Sequence, residues 1–419
     1  AKALVFGPEF TGRVEQIIDR IPQVRNSFYV GDDCPSFSVS FRNLTDGASA
    51  ARPNIELGPN DEAAIYFSSG TTGFPKAIVL QHRCLLHSCI VEQKHHGQTK
   101  DDNFLCIPPL YHTGAKMHWF GSFLVGGKAV LLKGVKPEWI IRAASEEKCT
   151  IVWLLVPWAQ DILDAIDRGD VKLSEYDLSA WRLMHIGAQP VPPALIKRWK
   201  SIFPNHDYDT NYGLSESTGP GAVHLGVENT DHVGAIGVAG YGWETKIVGK
   251  DGITPVKSGE VGELALKGDG VMKCYYKNPA ATEEILKGEW LLTGDMAKED
   301  EDGFIYLVDR KKDVIISGGE NLYPKEIEEF IYTHPFVQDV QVIGVPDKKY
   351  GEEAMACIIL KEGKSMTEKE MHDYIAASMA RHKVPKYIDF VPSFPMNAAG
   401  KILKYKMRDE STEKLGLKK

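Results

Sequence analysis

Short apolar segments alternate with amphipathic segments over roughly the first 235 residues. Runs of this length with few polar interruptions are typical of strands that are buried on both faces. They lie at 63–67, 77–80, 104–107, 129–132, 151–156 and 183–186. Segments with helical spacing lie between them, at 137–148, 158–167 and 193–203. The alternation predicts an α/β domain with a largely parallel sheet.

The pattern changes after Gly234, where apolar segments become short and are separated by glycines, at 244–248, 262–267, 290–292 and 304–307. This texture predicts a β-rich subdomain. Beyond Asp309 we predict helices at 323–332 and 367–381 and strands at 340–345 and 354–360, with a charged end at 408–419 that frays. The predicted organisation is therefore a large N-terminal domain of mixed sheets flanked by helices (1–310, with the β-rich subdomain at about 234–310) and a small, mobile α+β domain (311–419).

Composition and charge narrow the class of protein. The chain has 43% hydrophobic and 25% charged residues and a formal net charge of −8, which is globular and disfavours a broad nucleic-acid surface. Its seven cysteines form no CxxC pair, which favours a reducing compartment. The apolar stretch at 151–159 is interrupted by Pro157 and is too short to span a membrane. We expect a cytoplasmic protein without a nucleic-acid partner or an integral membrane segment.

A loop rich in glycine and hydroxyl groups directly follows the first of these strands. Glycines let the backbone N–H groups approach an anion, hydroxyls add donors, and lysine adds positive charge. The loop is not a Walker A motif, because Lys76 is followed by Ala77. We predict that it holds a polyphosphate through Ser68, Ser69, Gly70, Thr71, Thr72, Gly73 and Lys76.

Further segments carry side chains suited to a nucleotide. Tyr212 offers an aromatic face for adenine, Gly213 allows close approach, and Glu216 is a hard oxygen ligand for Mg²⁺. Asp295, in Leu-Thr-Gly-Asp, can accept hydrogen bonds from ribose hydroxyls. Lys401 lies on a glycine-containing turn and can neutralise charge that develops at a phosphate.

Together these segments resemble the motifs of the adenylate-forming superfamily, which includes acyl- and aryl-CoA ligases, adenylation domains of peptide synthetases and beetle luciferases. The matches occur in order over about residues 63–405. Besides those above, they include Pro-Pro-Leu-Tyr-His at 108–112, Gly-Ala-Gln-Pro at 187–190 where the family usually has Gly-Gly-Ala-Pro, and the segment 309–321.

The resemblance implies a role for each matching position. It implies that ATP also contacts Ala188, Gln189, Pro190, Asn211 and Arg310. It implies catalytic roles for Lys401, Glu216, His112 and Thr71, with Glu216 as the metal ligand. Lys312 would be the hinge about which the C-terminal domain rotates. Coenzyme A would be bound by Ser317, Gly318, Gly319 and Glu320.

The implied reaction activates a carboxylic acid with ATP and Mg²⁺ to an acyl-adenylate, and then forms a thioester with coenzyme A. Two alternatives stay open: transfer of the acyl group to a carrier protein, and a catalytically inactive nucleotide-binding protein. A homodimer is also left open.

The acid is expected to be a medium-chain fatty acid or an aryl acid, because several candidate pocket residues are large and apolar. The candidates are His112, Lys116, Met117, Gly187, Leu214 and Thr218, together with Trp119, Trp153, Trp158 and His185. We expect Lys116 to pair with an acidic residue rather than to meet a polar group of the substrate.

Two further features bear on these expectations. Six of the thirteen histidines fall between His82 and His118, but the order His82, Cys84, His87, Cys89 does not match a usual zinc motif and disfavours a structural metal there. Superfamily members usually have roughly 100 residues before the segment that resembles the start of this chain, so we expect that portion to be lacking here.

Overall fold

The computed structural model describes residues 1–68, 75–110, 112–187, 191–224, 227–396 and 402–417. It forms two compact units, Ala1–Leu57 and Gly58–Lys419. In the first unit a small parallel sheet packs on short helices around Phe6, Val14 and Tyr29. Its elements are β1 (Ala3–Phe6), α1 (Thr11–Glu15), β2 (Asn26–Tyr29), β3 (Val39–Ser40) and α2 (Phe41–Thr45).

The second unit begins with the predicted alternation. All six predicted strands and all three predicted helices are present, with ends shifted by one or two residues. The elements are β4 (Glu62–Phe67), β5 (Ala77–Gln81), α3 (His82–His95), β6 (Asn103–Cys106), α4 (Thr113–Leu124), β7 (Lys128–Leu131), α5 (Pro137–Glu146), β8 (Ile151–Leu155), α6 (Val156–Asp167), β9 (Leu183–Gly187), α7 (Pro193–Ile202), β10 (Asp207–Asp209), β11 (Asn211–Leu214) and β12 (Gly219–Val223).

A five-stranded parallel sheet with the order β10-β9-β8-β6-β7 organises this region. Helices α5, α6 and α7 cover one face and bury a large apolar core, which includes Ile140, Leu163 and Trp199. Prolines in the first turn of each helix fit because their missing N–H is not needed there. Helix α5 ends before its predicted limit because Lys148 takes a left-handed conformation with φ of 51°.

The β-rich segment consists of β13 (Val238–Ala239), β14 (Trp243–Val248), β15 (Gly262–Gly268), β16 (Cys274–Tyr275), α8 (Pro279–Ile285), β17 (Leu286–Lys287), β18 (Trp290–Glu299) and β19 (Ile305–Arg310). Strands β14, β15, β18, β17 and β19 form one antiparallel sheet. Strand β13 pairs with β12 and β16 pairs with β5. The segment therefore also completes sheets that begin earlier in the chain.

The C-terminal part contains β20 (Ile315–Ser317), β21 (Glu320–Leu322), α9 (Pro324–Tyr332), β22 (Val337–Asp347), β23 (Gly351–Leu360), α10 (Glu368–Ala376), β24 (Tyr387–Phe390) and α11 (Lys404–Lys414). A capping box between Thr367 and Glu370 starts α10. The prediction that this helix reaches residue 381 is wrong, because it ends at Ala376, where the Ser378 amide bonds to the Ile375 carbonyl only three residues back in a tighter turn.

The predicted fraying of the charged C-terminal end is also wrong as far as Lys414. Helix α11 buries Met407, and Lys414 Nζ lies 2.7 Å from Asp389 Oδ2. Anchoring by an apolar side chain and an ion pair explains why the charged segment is ordered. Within the described part of the chain, no helix combines the length and the apolar character that crossing a bilayer requires.

Candidate active site

The carboxyl edge of the parallel sheet brings three predicted site residues to one side of the molecule. His112 precedes α4 and follows β6, Gly187 ends β9, and Asn211 comes two residues after β10. Open α/β sheets bind ligands beyond the carboxyl ends of their strands. His112 is exposed as a whole residue, but the surrounding protein partly desolvates its imidazole. Because the charged form loses hydration, the pKa of His112 is lowered.

Three predicted nucleotide-binding residues from distant segments form one hydrogen-bonded network. The Tyr212 hydroxyl donates to Asp295 Oδ2, and Arg310 Nε lies 2.8 Å from Asp295 Oδ1. Strand pairing explains the second contact, since Asp295 on β18 lies opposite Arg310 on β19. The amide of Asp295 donates to Thr293 Oγ1 at 3.1 Å. The carboxylate is thus held by two side chains, and the third hydrogen bond fixes the backbone that carries it.

Burial controls the electrostatics of this network. Asp295 is only 3% exposed, and desolvation raises its pKa while the neighbouring Arg310 guanidinium opposes that rise. Burial and the adjacent carboxylate raise the pKa of Tyr212 well above its ordinary value. Tyr212 is therefore a neutral donor, and its ring is fixed by the bond to Asp295.

A second group connects the lysine of the glycine-rich loop with the predicted metal ligand. Tyr275 Oη donates to Glu216 Oε1 at 2.7 Å, and Lys76 Nζ lies 4.7 Å from the centre of the Tyr275 ring. Strand β16, which carries Tyr275, pairs with β5, which begins directly after Lys76. The sequence analysis missed Tyr275 because this pairing joins segments about 200 residues apart, which no local pattern reports.

The base of the glycine-rich loop is closed by a backbone hydrogen bond of 3.0 Å from the Ser68 amide to the Lys76 carbonyl. Several predicted residues lie outside the described residues, and their roles stay predictions. They are Ser69, Gly70, Thr71, Thr72, Gly73, Ala188, Gln189, Pro190 and Lys401.

The close pairing of β11 with β12 leaves room only for glycine at the position of Gly213. A Cβ atom at this position would lie 1.9 Å from the carbonyl oxygen of Gly219. The cause is the tight antiparallel pairing of β11 with β12, whose register shifts between Tyr212 and Gly213. The missing side chain thus has a structural reason in addition to the predicted approach of a ligand.

We predict that Gly213→Ala lowers the free energy of unfolding by at least about 2 kcal/mol, because two backbone segments must separate to admit the methyl group. Chemical denaturation followed by circular dichroism measures this. Gly58→Ala is the control, since the nearest atom to its Cβ is a side-chain oxygen 3.6 Å away. Equal stability of the two variants would show that the β11–β12 contact is looser than described.

The candidate acyl-pocket residues fall into two connected groups. Met117 is buried beside the segment that follows Thr218, and Thr218 donates its hydroxyl to the Gly270 carbonyl at 2.7 Å. A Cβ at Gly187 would lie 3.8 Å from both Asn211 Oδ1 and Trp153 Nε1. Leu214 is half-buried against the core of the β-rich sheet.

Lys116 departs from the prediction that it pairs with an acidic residue. Its ammonium lies 4.5 Å from the centre of the Tyr66 ring, in the geometry of a cation–π contact. Tyr66 is on β4, immediately before the glycine-rich loop, so Lys116 contacts the strand that leads into that loop.

The predicted hinge and the predicted coenzyme A loop both lie in ordered structure. The carbonyl of Lys312 accepts from the Arg408 guanidinium at 3.4 Å, and Arg408 also pairs with Asp313 at 3.1 Å. Gly318 and Gly319 form the two-residue turn between β20 and β21, with φ of 61° and 90°. A hairpin turn with positive φ at both positions favours glycine for reasons of backbone geometry alone.

Similarity to known proteins agrees with this arrangement. The AMP-binding enzyme family matches residues 9–276, and the AMP-binding enzyme C-terminal domain matches residues 326–401. Human mitochondrial medium-chain acyl-CoA ligase ACSF2 is 34% identical over 99% of this chain and 72% of its own length. Feruloyl-CoA synthase from Amycolatopsis sp is 33% identical over 87% of this chain and 72% of its own length.

Among solved structures, ATP-bound MatB from Rhodopseudomonas palustris has a TM-score of 0.85 and 26% identity, over 99% of this chain and 80% of that one. These matches confirm the predicted α/β fold with a large and a small domain. The fold and the site are together those of an adenylate-forming enzyme. The chain belongs to the AMP-binding enzyme family, and its relatives place it among the AMP-forming acid–CoA ligases, which use ATP, a carboxylic acid and coenzyme A.

Proposed function

We propose that the protein activates a medium-chain fatty acid or an aryl acid with ATP and Mg²⁺, and transfers the acyl group to coenzyme A. The observation that carries this proposal is the network of Tyr212, Asp295 and Arg310, which comes from three separate segments. Such a network offers a fixed aromatic face beside a carboxylate, as adenosine recognition requires.

In the proposed first half-reaction, a substrate carboxylate oxygen attacks the α-phosphorus of ATP. A new O–P bond forms, the bond from the α-phosphorus to the bridging oxygen breaks, and pyrophosphate leaves. Mg²⁺, when bound with ATP, would offset the negative charge of the phosphates. Glu216 suits it, because its carboxylate is half-buried and is oriented by Tyr275. Lys76 and Lys401 supply positive charge where the transition state is negative.

In the proposed second half-reaction, the thiol of coenzyme A loses its proton to solvent and its sulfur attacks the acyl carbonyl. A C–S bond forms, the bond from the acyl carbon to the phosphate oxygen breaks, and AMP leaves. We infer that the C-terminal domain rotates about Lys312, which withdraws Lys401 and presents the Gly318–Gly319 turn. The contacts of Arg408 with the Lys312 carbonyl and with Asp313 support this, because they fix the chain on the C-terminal side of the hinge.

The proposed acid class rests on the apolar candidates for the pocket. Met117 and Trp153 are buried, and Leu214 is half-buried, so they would favour an apolar or aromatic chain over acetate. The relatives named for medium-chain acyl and feruloyl substrates support the same range.

A panel of carboxylates assayed for pyrophosphate release, with and without coenzyme A, tests the proposal. We expect release to depend on a medium-chain or aryl acid, and the matching acyl-CoA to appear only with coenzyme A. Pyrophosphate release without an acyl-CoA product would favour transfer to a carrier protein. Absence of release with every acid would favour a nucleotide-binding protein without catalysis.

We predict that Tyr275→Phe raises the Mg²⁺ concentration for half-maximal adenylation about 3- to 10-fold, because Glu216 loses a hydrogen bond that orients it. A Mg²⁺ titration of pyrophosphate release measures the shift. Tyr276→Phe is the control, since Tyr276 is adjacent but half-exposed. An unchanged Mg²⁺ requirement in Tyr275→Phe would contradict the role of Glu216 as metal ligand.

A further inference from the structure

Four histidines and two carboxylates form a buried cluster, of which only His185 is a candidate for the acyl pocket. It lies where helices α3 and α4 pack on strands β9 and β10. We call it the histidine–carboxylate cluster, and it consists of Glu92, His95, His96, His118, His185 and Asp209. Every ion pair within it joins side chains that are at most 2% exposed.

One oxygen of each carboxylate already has a hydrogen-bonding partner. His185 Nδ1 lies 2.5 Å from Asp209 Oδ1, and the side-chain amide of Asn211 donates to Glu92 Oε1. Asn211 also lies 3.3 Å from His185 Nε2. These contacts fix both carboxylates and leave their second oxygens, Asp209 Oδ2 and Glu92 Oε2, pointing to the histidines.

Those second oxygens approach imidazole nitrogens without forming hydrogen bonds to them. Asp209 Oδ2 lies 3.1 Å from His95 Nε2 and 3.3 Å from His96 Nε2. Glu92 Oε2 lies 3.2 Å from His96 Nε2. Neither oxygen has a hydrogen-bond partner in the described part of the chain. His96 Nε2 lies 3.2 Å from His185 Nδ1, whereas His95 Nε2 also lacks a partner. A buried carboxylate oxygen without a partner is costly, so the two oxygens require another explanation.

Donor atoms of His95, His96 and Asp209 all lie within 4.8 Å of one another, as the ligands of one metal ion do, whereas Glu92 groups with His118 and His185. Tetrahedral coordination with bonds of about 2.0–2.1 Å places neighbouring ligand atoms about 3.3 Å apart. Asp209 as a ligand and the nearby Glu92 carboxylate balance the charge of a divalent cation and leave the imidazoles neutral, as ligation requires. Imidazole and carboxylate donors in such a site suit Zn²⁺.

We propose that this cluster binds one Zn²⁺ ion through three ligand atoms, His95 Nε2, His96 Nε2 and Asp209 Oδ2, with the Glu92 carboxylate beside the site. His185 and Asn211 orient the two carboxylates from behind, as outer-shell partners do in metal sites. The ion joins the C-terminal end of α3 to the end of β10, and a water molecule would complete its tetrahedral coordination.

This site differs from the zinc motif considered in the sequence. Among the described residues His82, Cys84, His87 and Cys89 do not gather into a metal-binding group. Cys84 Sγ contacts the Val271 carbonyl, and the His87 ring lies 5.7 Å from that of Trp243. The histidines that do converge come from the same crowded segment, but they meet an aspartate from β10.

The test is the metal content of the full chain, purified without chelators, incubated with Zn²⁺ and dialysed, measured by inductively coupled plasma mass spectrometry. We expect about one Zn²⁺ per chain in the wild type and less than about 0.2 in Asp209→Asn. His206→Gln is the matched control and should keep about one, because His206 is buried against Trp181 outside the cluster.

If Asp209→Asn fails to fold, the wild type can still be tested by replacing Zn²⁺ with Co²⁺. We expect a visible absorption band from tetrahedral Co²⁺, and a higher melting temperature with Zn²⁺ than with a chelator. Wild type without bound metal and without a Zn²⁺-dependent melting shift would overturn the proposal, as would equal loss of metal in His206→Gln. Neither measurement uses ATP or acid, so failure of the ligase proposal is separately visible.

Discussion

Replacing Asp295 by asparagine is expected to lower kcat/KM for ATP about 100-fold, which corresponds to roughly 2.7 kcal/mol of transition-state stabilisation. The carboxylate is buried, receives the Tyr212 hydroxyl and pairs with Arg310. Asparagine keeps the shape but loses the charge that would bind ribose hydroxyls, and it releases Arg310. Pyrophosphate exchange at varied ATP concentration measures the effect, with most of it expected in KM.

A neighbouring pair supplies the control for the structural part of this loss. Glu263 is also buried, lies 2.7 Å from Lys311, and accepts from the Gly294 amide. Glu263→Gln removes a comparable buried charge, whose partner Lys311 is the residue that follows Arg310. We expect it to lose stability while KM for ATP changes less than about 3-fold. Equal changes of KM in both variants would show that Asp295 acts only through the fold.

The local pattern of apolar and polar residues predicts the buried strands and amphipathic helices of the fold. Strand β8 is almost wholly buried, and its uninterrupted apolar run signals that directly. Residues 1–57 carry no comparable signal, since β1 contains one buried residue, Phe6. The end of α11 was mispredicted because its order comes from Asp389 and from packing on the C-terminal sheet, which depend on tertiary structure.

The candidate site was predictable as a set of segments but not as a set of contacts. The motifs indicated Tyr212, Asp295 and Arg310 one by one, whereas only the β18–β19 register shows that Arg310 pairs with Asp295. Tyr275 and the histidine–carboxylate cluster were missed for the same reason. Their partners lie on strands far away in the sequence, and residue spacing carries no information about such pairs.

The two glycines of the proposed coenzyme A loop, Gly318 and Gly319, match the motif, but the match alone does not establish that the loop binds coenzyme A. Both have positive φ in a two-residue hairpin turn, so their presence follows from the turn and is not evidence for a tunnel. No heavy atom lies within 4 Å of a Cβ built on Gly319, so a larger side chain there would extend into open space. Substitution at Gly319 can therefore obstruct a ligand without a steric clash in the fold.

We predict that Lys401→Ala and Gly319→Leu impair different half-reactions. Lys401→Ala should reduce adenylate formation about 100- to 1000-fold, because the charge at the α-phosphate loses its counterion, and should leave thioester formation from supplied acyl-adenylate within about 3-fold. Gly319→Leu should do the reverse, because a leucine would block entry of the thiol. Single-turnover assays of each half-reaction measure both effects.

Two further variants separate the proposed roles from general damage. Lys406→Ala removes an exposed lysine from α11. Gly363→Leu also introduces a leucine at a left-handed position, with φ of 72° and open space around its Cβ. It therefore reproduces the cost of about 1–2 kcal/mol of forcing leucine into a left-handed backbone conformation. We expect both controls to run each half-reaction at the wild-type rate. If Lys401→Ala and Gly319→Leu instead slow the two half-reactions equally, one fixed arrangement serves both, and rotation about Lys312 is not needed.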